Sequence, residues 1–461
     1  MFRGITAVFC VWLCLAAQLS GQTMRSDQSA QLVVYLECPP NLQDRVTLRI
    51  DSLILSSPED SSVIAVGPQT VSSEKLSGHQ LLLIEAEIPP GRYSTARLVF
   101  GDVSSYAGVA EVHPQLPKNG VSIPVSIDIQ QAGATPLFLL WTPGQSAYKE
   151  GVYAPQISVL KAPDLPPGSL AYAVNEGSNN VTVIDRSTYR VVDVIAVARG
   201  PKDIAFSDLS QQLYVAGSLD DVVTVIDEPS RQIIKKLHLN FGDAPSRLAL
   251  SPDGRYLYVL NSGSNTVSVV DIIAFQEIVR LNVGNGPVAL AVDSFTGLLY
   301  VSSKFSSSIE VFDPTAFSQV ASVSAGSQGG EISLNSTDKV LYVSHSTLRD
   351  ISVVDLASGR VLSSVNLCGT VSGLAFNRYV QVLYAGIRSC NEVSLVAPDQ
   401  GLETGTIALD AEPGRVSLDG QYKQLMVCLP SKDRIDFFST NSRSRLASVS
   451  VGKKPSMIVL P

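Results

Sequence analysis

The chain has few of the residues from which most metal centres and active sites are built. Its 461 residues include only four histidines, His79, His113, His238 and His345, and none lies at metal-ligand spacing from another histidine or from a cysteine. A P-loop, a G-x-S-x-G nucleophile elbow and an Asp-x-Asp-x-Asp-Gly calcium loop are also missing. We therefore expect no bound metal and no cofactor.

Charged residues are scarce as well. They make up 16% of the chain, the net charge is -8, and no block of Lys and Arg occurs, so a nucleic-acid partner is not expected. Hydrophobic residues reach 45%, which argues against disorder. Because a single core stops growing near roughly 250 to 300 residues, a chain of this length is expected to form two domains.

Long apolar runs are missing except at the N-terminus. Arg3 precedes an apolar stretch from Ile5 to Ala17, and small and polar residues follow it. This layout is typical of a secretory signal peptide, which we assign to residues 1–21. An uncleaved anchor is the alternative, but the run is shorter than the ~20 residues that a spanning helix needs. The mature protein is thus expected to be secreted, periplasmic or at the cell surface, without a membrane span.

One motif occurs seven times in the C-terminal two thirds of the chain, as LAYAVNEGSNNVTVID, LYVAGSLDDVVTVID, LYVLNSGSNTVSVVD, LYVSSKFSSSIEVFD, LYVSHSTLRDISVVD, LYAGIRSCNEVSLVA and LMVCLPSKDRIDFFS. The copies end at Asp185, Asp227, Asp271, Asp313, Asp355, Ala397 and Ser439, so successive copies lie 42 or 44 residues apart. A repeat of about 40 to 45 residues with four short strands is a propeller blade. The fold is therefore predicted to be all-β, with a seven-bladed β-propeller over residues 170–461.

The two ends of the repeat array complement each other. A last inner-strand segment, Met457 to Leu460, has no blade after it, and the first copy at Leu170 has no inner strand before it. We expect the C-terminal strand to pair with the first copy, because this pairing closes the ring and leaves no exposed strand edge.

Alignment of the inner strands predicts a candidate site. Their first positions place Asp203, Arg247, Glu331 and Arg415 around one mouth of the central channel. We expect Asp203 and Arg247, on adjacent blades, to pair with each other; the alternative is a ligand-binding funnel formed by Arg247, Glu331 and Arg415. His345, in a hairpin loop of the blade that carries Glu331, is expected to face the same mouth.

Four cysteines remain after the leader: Cys38, Cys368, Cys390 and Cys428. In the repeat register Cys368 follows the outer strand of one blade, and Cys390 lies in a hairpin loop of the next blade on the same face. We predict a Cys368–Cys390 disulfide in an oxidising compartment, with free buried thiols as the alternative. No pairing is assigned to Cys38 or Cys428.

The region before the repeats has a different pattern. Residues 30–163 alternate polar and apolar positions in short segments such as RVTLRIDSLILS and HQLLLIEAEI, without helical periodicity. This pattern predicts an antiparallel β-sandwich domain. A Pro-rich segment follows, and residues 164–169 are predicted to be a short, stiff linker.

The phrases YVLNSGSNTVSVVD and YAVNEGSNNVTVID resemble the YVTN family of β-propeller repeats. That resemblance covers all seven copies and implies a secreted or surface-layer protein of a bacterium or archaeon; related propellers include lactonases. The series RVTLRIDSLIL, IPPGRYSTARLVF and VSIPVSIDIQQAGATPLFLLW resembles bacterial extracytoplasmic β-sandwich domains of uncharacterised function.

Two functions are compatible with these patterns. The first is a non-enzymatic binding protein, expected to be a monomer, whose propeller contacts a protein, a glycan or a cell-envelope ligand. The second is a lactonase-like hydrolase with Glu331 or His345 as general base and Arg247 or Arg415 stabilising an oxyanion. Mutual pairing of the mouth charges would favour the first function, and an unpaired Glu331 in an open pocket would favour the second.

Overall fold

The computed structural model describes residues 30–40, 44–57, 61–107, 110–145, 147–149, 152–161, 169–419, 421 and 423–461. The predicted signal peptide and all but the last residue of the predicted linker lie outside these residues. The described part of the chain is almost entirely β-structure, as the sequence pattern predicted.

The N-terminal region comprises, within the described residues, the strands β1 (Ala30–Glu37), β2 (Val46–Ser56), β3 (Ser61–Ser72), β4 (Gln80–Ile88), β5 (Gly91–Ala107), β6 (Ala110–Val112), β7 (Val121–Ile129), β8 (Ala134–Trp141), β9 (Ala147–Lys149), β10 (Val152–Ala154) and β11 (Ile157–Leu160). A short helix α1 (Ser73–Leu76) follows β3, and a 3-10 turn (Pro143–Gln145) follows β8.

These strands form two main sheets. One sheet has the order β11-β8-β1-β4, and the other has the order β3-β2-β5-β6. In the second sheet, β7 pairs with the N-terminal half of β5. The first sheet is mixed, because β1 runs antiparallel to β4 but parallel to β8. The expectation of a wholly antiparallel arrangement is thus wrong, since alternation of polar and apolar residues reports which face is buried and not the direction of the neighbouring strand.

A single hydrophobic core lies between the two sheets. Leu32 and Leu36 on β1 meet Leu48 and Leu53 on β2, and the indole of Trp141 is completely buried among them. Alternate residues of these strands supply this core, which explains the period-two pattern in the sequence.

The remaining strands are β12 (Leu170–Asn175), β13 (Asn180–Asp185), β14 (Arg190–Ala196), β15 (Pro201–Ser207), β16 (Gln212–Gly217), β17 (Val222–Asp227), β18 (Gln232–His238), β19 (Pro245–Leu250), β20 (Tyr256–Asn261), β21 (Thr266–Asp271), β22 (Gln276–Asn282), β23 (Pro287–Val292), β24 (Leu299–Ser303), β25 (Ser308–Asp313) and β26 (Ser318–Ser324). They continue with β27 (Gly329–Asn335), β28 (Val340–His345), β29 (Asp350–Asp355), β30 (Arg360–Asn366), β31 (Val371–Asn377), β32 (Val382–Ile387), β33 (Glu392–Ala397), β34 (Leu402–Ala408), β35 (Val416–Asp419), β36 (Gln424–Leu429), β37 (Arg434–Ser439), β38 (Arg445–Ser450) and β39 (Pro455–Val459). Two 3-10 turns, Pro398–Gln400 and Pro430–Lys432, lie in the loops that follow β33 and β36.

These strands form seven four-stranded antiparallel sheets, which are the blades. Six blades use four consecutive strands each, from β15-β16-β17-β18 to β35-β36-β37-β38. The other blade has the order β14-β13-β12-β39, so its inner strand comes from the end of the chain. Here β39 runs antiparallel to β12, with Tyr172 opposite Val459 and Val174 opposite Met457.

The recurring Asp at the end of the third strand of a blade holds the next turn. Asp271 accepts hydrogen bonds from the backbone N–H groups of Ile273 and Ala274, both at 2.9 Å. At Asp313 the hydroxyl and the N–H of Thr315 donate in the same way, and these hydrogen bonds lower the pKa of the Asp313 carboxyl. The repeated Asp residues are therefore turn-forming residues.

The first N-terminal sheet packs against the propeller with the face that points away from its own core. Val33 and Tyr35 on β1 and Phe138 on β8 join a second buried cluster with Ile184 of the first blade and Phe437 of the last blade. The N-terminal domain thus covers the junction between the first blade, β14-β13-β12-β39, and the last blade, β35-β36-β37-β38.

Polar contacts reinforce this junction. The side-chain amide of Gln80 pairs with the backbone of Val191, accepting from its N–H at 2.8 Å and donating to its C=O at 3.3 Å. Nearby, Arg190 donates to Glu37 at 3.0 Å. Buried apolar contacts and hydrogen bonds thus both join the N-terminal sheets to the propeller.

Within the described residues, none of the helices has the length and apolar character needed to cross a membrane.

Phe138→Ala should destabilise the folded protein, because the ring is 6% exposed and fills the junction between the domains. We expect the free energy of unfolding to fall by about 3 to 5 kcal/mol, as for other buried aromatic truncations. Urea unfolding followed by circular dichroism measures this change. Phe241→Ala, at a fully exposed ring, is the matched control and should change stability by less than about 0.5 kcal/mol. Equal effects of the two substitutions would contradict the docked arrangement.

Candidate functional site

The four charged residues predicted at the channel mouth form two ion pairs. Arg247 Nη2 lies 2.5 Å from Glu331 Oε1, and Arg415 Nη1 lies 2.7 Å from Asp203 Oδ1. Each pair skips one blade, whose equivalent residue is Ala289 or Met457. The predicted pairing of Asp203 with Arg247 on the adjacent blade is therefore wrong: both arginines reach across the channel, past a residue that offers no charge.

Backbone contacts link these two pairs. Asp203 Oδ2 accepts a hydrogen bond of 2.8 Å from the N–H of Leu248, the residue after Arg247. Arg247 Nη1 also donates to the carbonyl of Ser246 at 3.1 Å. The four charged side chains are only 6% to 18% exposed. They form one compact, largely buried network, which we call the mouth network.

Burial dominates the acid–base properties of the mouth network. It raises the pKa of the Asp203 carboxyl to about 6, while the positive charge of Arg247 and the N–H of Leu248 act in the opposite direction. Burial also raises the pKa of Glu331 above its usual value; Arg247 opposes this shift, and the negative charge of Asp203 adds to it. The positive charge of Arg247 thus opposes the effect of burial on both carboxyl groups.

His345 does not belong to the mouth network. It is the last residue of β28 and is 2% exposed, so its predicted position in a loop facing the channel is wrong. Nδ1 lies 3.2 Å from the carbonyl of Gln328, and Nε2 lies 2.9 Å from Ser352 Oγ. Both ring nitrogens are engaged inside the blade, which leaves neither available to a substrate.

The repeat register explains the position of His345. It occupies the place of Asn261 in the third blade, where the Asn side chain donates to Thr266 and Ser268 at 3.1 and 2.8 Å. His345 likewise forms a hydrogen bond with Ser352, the counterpart of Ser268. Alignment of YVSH with YVLN is the sequence signal that would have identified this structural role.

Cys368 and Cys390 are bonded to each other. The disulfide joins the connection between β30 and β31 to the hairpin loop between β32 and β33. Among the described residues, only Cys368, Cys390 and Glu392 converge as potential metal ligands. Since the two sulfurs form a disulfide, neither can act as a thiolate ligand there. Cys38 and Cys428 are buried free thiols, and burial raises the pKa of each to about 12.

A cavity that the sequence pattern did not indicate lies at the opposite end of the channel. It has a volume of 550 Å³ and lies where the inner strands end and turn into the second strands. Its lining includes Asn335 after Leu334 on β27, Asn377 at the end of β31 and the exposed rings of Phe295 and Tyr379. We call it the turn-side cavity. The signal in the sequence is an aromatic residue in the turn after the inner strand, as in VDSFTG and FNRYVQ.

Comparison with known proteins supports the fold. The family model described as a 7-bladed β-propeller lactonase matches residues 162–274 and 188–316, which together cover about a third of the chain. The seven-bladed β-propeller protein Rv1057 of Mycobacterium tuberculosis is 32% identical over 107 residues, which represent 22% of this chain and 26% of that protein. The chain is a β-propeller protein.

Two solved structures share this fold. The propeller protein superposes on the dihydro-heme d1 dehydrogenase NirN with a TM-score of 0.52 at 15% identity, over 64% of this chain and 76% of that one. It superposes on the hydrazine synthase of Kuenenia stuttgartiensis with a TM-score of 0.53 at 19% identity, over 61% of this chain and 96% of that one. At these identities the likeness shows the fold alone.

The mouth network leads to a prediction about stability. Arg247→Met or Glu331→Met alone leaves a buried charge without its partner and should lower the free energy of unfolding by about 3 to 5 kcal/mol. The double variant removes both charges and should lie much closer to the parent protein. A double-mutant cycle in urea measures the coupling. As a control, the exposed pair of Arg92 and Asp128 should show a coupling below about 1 kcal/mol. Additive effects at Arg247 and Glu331 would contradict the network.

The raised pKa of Asp203 leads to a second prediction, on pH dependence. Because the folded protein binds this proton more tightly than the unfolded chain, the Asp203 contribution to stability should increase as the pH falls from 7 through 6. Urea unfolding of the parent and of Asp203→Asn, between pH 7 and pH 4.5, should show a pH-dependent difference. Asp128→Asn, at an exposed carboxylate, is the control. Parallel profiles for the parent and Asp203→Asn would rule out the shifted pKa.

Proposed function

We propose that this β-propeller protein is a non-enzymatic, extracytoplasmic binding protein. The observation that carries the proposal is the mutual pairing of Asp203 with Arg415 and of Glu331 with Arg247. A general base must have a lone pair that can reach a substrate, and a catalytic arginine must be able to turn toward developing negative charge. Here each charged group is already bound by another group of the protein, and both nitrogens of His345 are engaged as well.

The arrangement of the domains also supports a scaffold role. The N-terminal sheets share one core and dock on the propeller through Tyr35 and Phe138, so the whole molecule presents fixed surfaces. Fixed surfaces favour binding because little conformational entropy is lost when a partner is contacted. We propose that the domain is an extracytoplasmic β-sandwich, that the repeats are YVTN-like blades closed by the C-terminal strand, and that the protein acts as a monomer.

The location and the class of partner belong to the same proposal. The leader composition at residues 1–21 and the Cys368–Cys390 disulfide support export to an oxidising compartment. The partner is proposed to be a protein, a glycan or another ligand of the cell envelope, and neither a nucleic acid nor a membrane span is part of the function.

Lactone hydrolysis is the second candidate, because a lactonase family model matches residues 162–316 in two overlapping segments. In that case Glu331 would act as the general base and Arg247 would stabilise the oxyanion. The ion pair of 2.5 Å between them would have to open when the substrate binds. Opening would leave both charges partly buried and unpaired, which costs several kcal/mol that substrate binding would have to supply.

One experiment separates these candidates. Protein comprising residues 22–461 is tested for hydrolysis of γ-lactones, δ-lactones and sugar lactones with a pH indicator, and for co-sedimentation with envelopes isolated from the cells that produce it. We expect no hydrolysis above buffer, no difference between the parent and Glu331→Gln, and retention on the envelopes.

Two results would overturn the binding proposal. The first is lactone turnover that Glu331→Gln abolishes and that Glu412→Gln, at an exposed carboxylate, leaves unchanged. The second is a protein that remains in the supernatant with every envelope preparation and also lacks activity.

A further inference from the structure

We propose that the turn-side cavity binds a neutral oligosaccharide. This inference rests on the proposed binding function and specifies its site and its ligand class. The site lies at the opposite end of the channel from the mouth network. It is therefore independent of the residues that the sequence pattern singled out.

The size of the cavity suits part of a chain-like ligand. At 550 Å³ it falls within the range of roughly 300 to 1,000 Å³ typical of small-molecule sites. Its lining comes from the turns of several blades and from the chain end at Leu460 and Pro461. Because these turns end paired strands of separate blades, the site is held by the ring as a whole and is formed before a ligand arrives.

Three of the four charged side chains in the cavity lining are already engaged. Arg186 forms a buried ion pair with Asp419, and the two side chains are 8% and 11% exposed, respectively. The guanidinium of Arg378 stacks on the ring of Tyr379 at 5.1 Å and donates to its hydroxyl at 3.1 Å. With Asp208 as the fourth charged group, two positive and two negative side chains line the site. An anionic ligand would meet no excess of positive charge, which argues for a neutral one.

The uncharged groups of the lining suit hydroxyl groups. Asn335 and Asn377 are buried and already hydrogen-bonded in their own turns. Ser336, Thr337 and Gln421 are partly or fully exposed and offer hydroxyl and amide groups that can both donate and accept hydrogen bonds. Sugar hydroxyls also donate and accept, so they match this set without needing a formal charge. An apolar ligand would remove water from the same groups and would not replace the hydrogen bonds that they make to that water.

Two aromatic rings complete the site. Phe295 is 72% exposed and Tyr379 is 61% exposed, and both line the cavity. An exposed large ring costs hydration free energy unless a partner covers it. The flat C–H face of a pyranose ring is such a partner, and its hydroxyl edge would then face the accessible polar side chains of the lining. Exposed aromatic rings beside neutral polar groups thus point to a carbohydrate.

The test uses isothermal titration calorimetry on protein comprising residues 22–461, with chitohexaose, cellohexaose and maltohexaose as probes. We expect measurable binding of at least one probe. The double variant Phe295→Ala, Tyr379→Ala should weaken it at least about tenfold, because two ring contacts are lost. Both rings are exposed, so the variant should keep the unfolding midpoint of the parent. Phe241→Ala combined with Phe305→Ala, at two exposed rings outside the cavity lining, is the matched control and should bind like the parent.

The outcomes distinguish this inference from the broader proposal. If no probe binds, or if the Phe295, Tyr379 variant binds as tightly as the parent, the oligosaccharide inference is overturned, whereas retention on cell envelopes would keep the binding function. If that variant loses envelope retention although no oligosaccharide binds, the cavity takes another class of ligand, such as a peptide, and the inference is again overturned.

Discussion

The pairing of the C-terminal strand β39 with β12 is the contact on which the rest of the structure depends. It supplies the inner strand of the first blade from the far end of the chain, so that blade exists only when the ring is complete. The N-terminal domain covers the same junction with Val33, Tyr35 and Phe138. Without this junction an open strand edge and a large apolar surface would be exposed together. The sheet β14-β13-β12-β39 therefore depends on residues from both ends of the repeat array.

The two mouths of the channel have different properties for a physical reason. At one mouth, Arg247 and Arg415 are long enough to reach carboxylates two blades away, and their ion pairs satisfy groups that burial would otherwise penalise. At the other mouth, the side chains lie on turns rather than on converging strands, and a cavity with exposed Phe295 and Tyr379 remains. The charged side chains of the mouth network are bound to one another, whereas the turn-side cavity keeps Ser336, Thr337 and Gln421 accessible to solvent. This contrast favours binding over catalysis.

Much of the fold could be predicted because it is periodic. The spacing of the repeats gave the number of blades and the strand content, and the repeat register placed Cys368 and Cys390 on one face, where the structure joins them. The prediction was weaker in the N-terminal domain, which has no repeat. There the parallel pairing of β1 with β8 could not be inferred, because neither strand direction nor strand order leaves a trace in polar and apolar alternation.

By itself, the sequence determined the all-β class and the seven repeats, and it placed the four mouth charges at equivalent positions of the repeats. Only the tertiary structure decided which of those charges pair, that His345 is buried within a blade, and that a cavity opens at the far end of the channel. The physical reason is the distance along the chain between the residues that make contact. Repeat spacing and alternation encode contacts within a blade, whereas pairing across the channel depends on how closely seven separate blades converge and how far each side chain reaches.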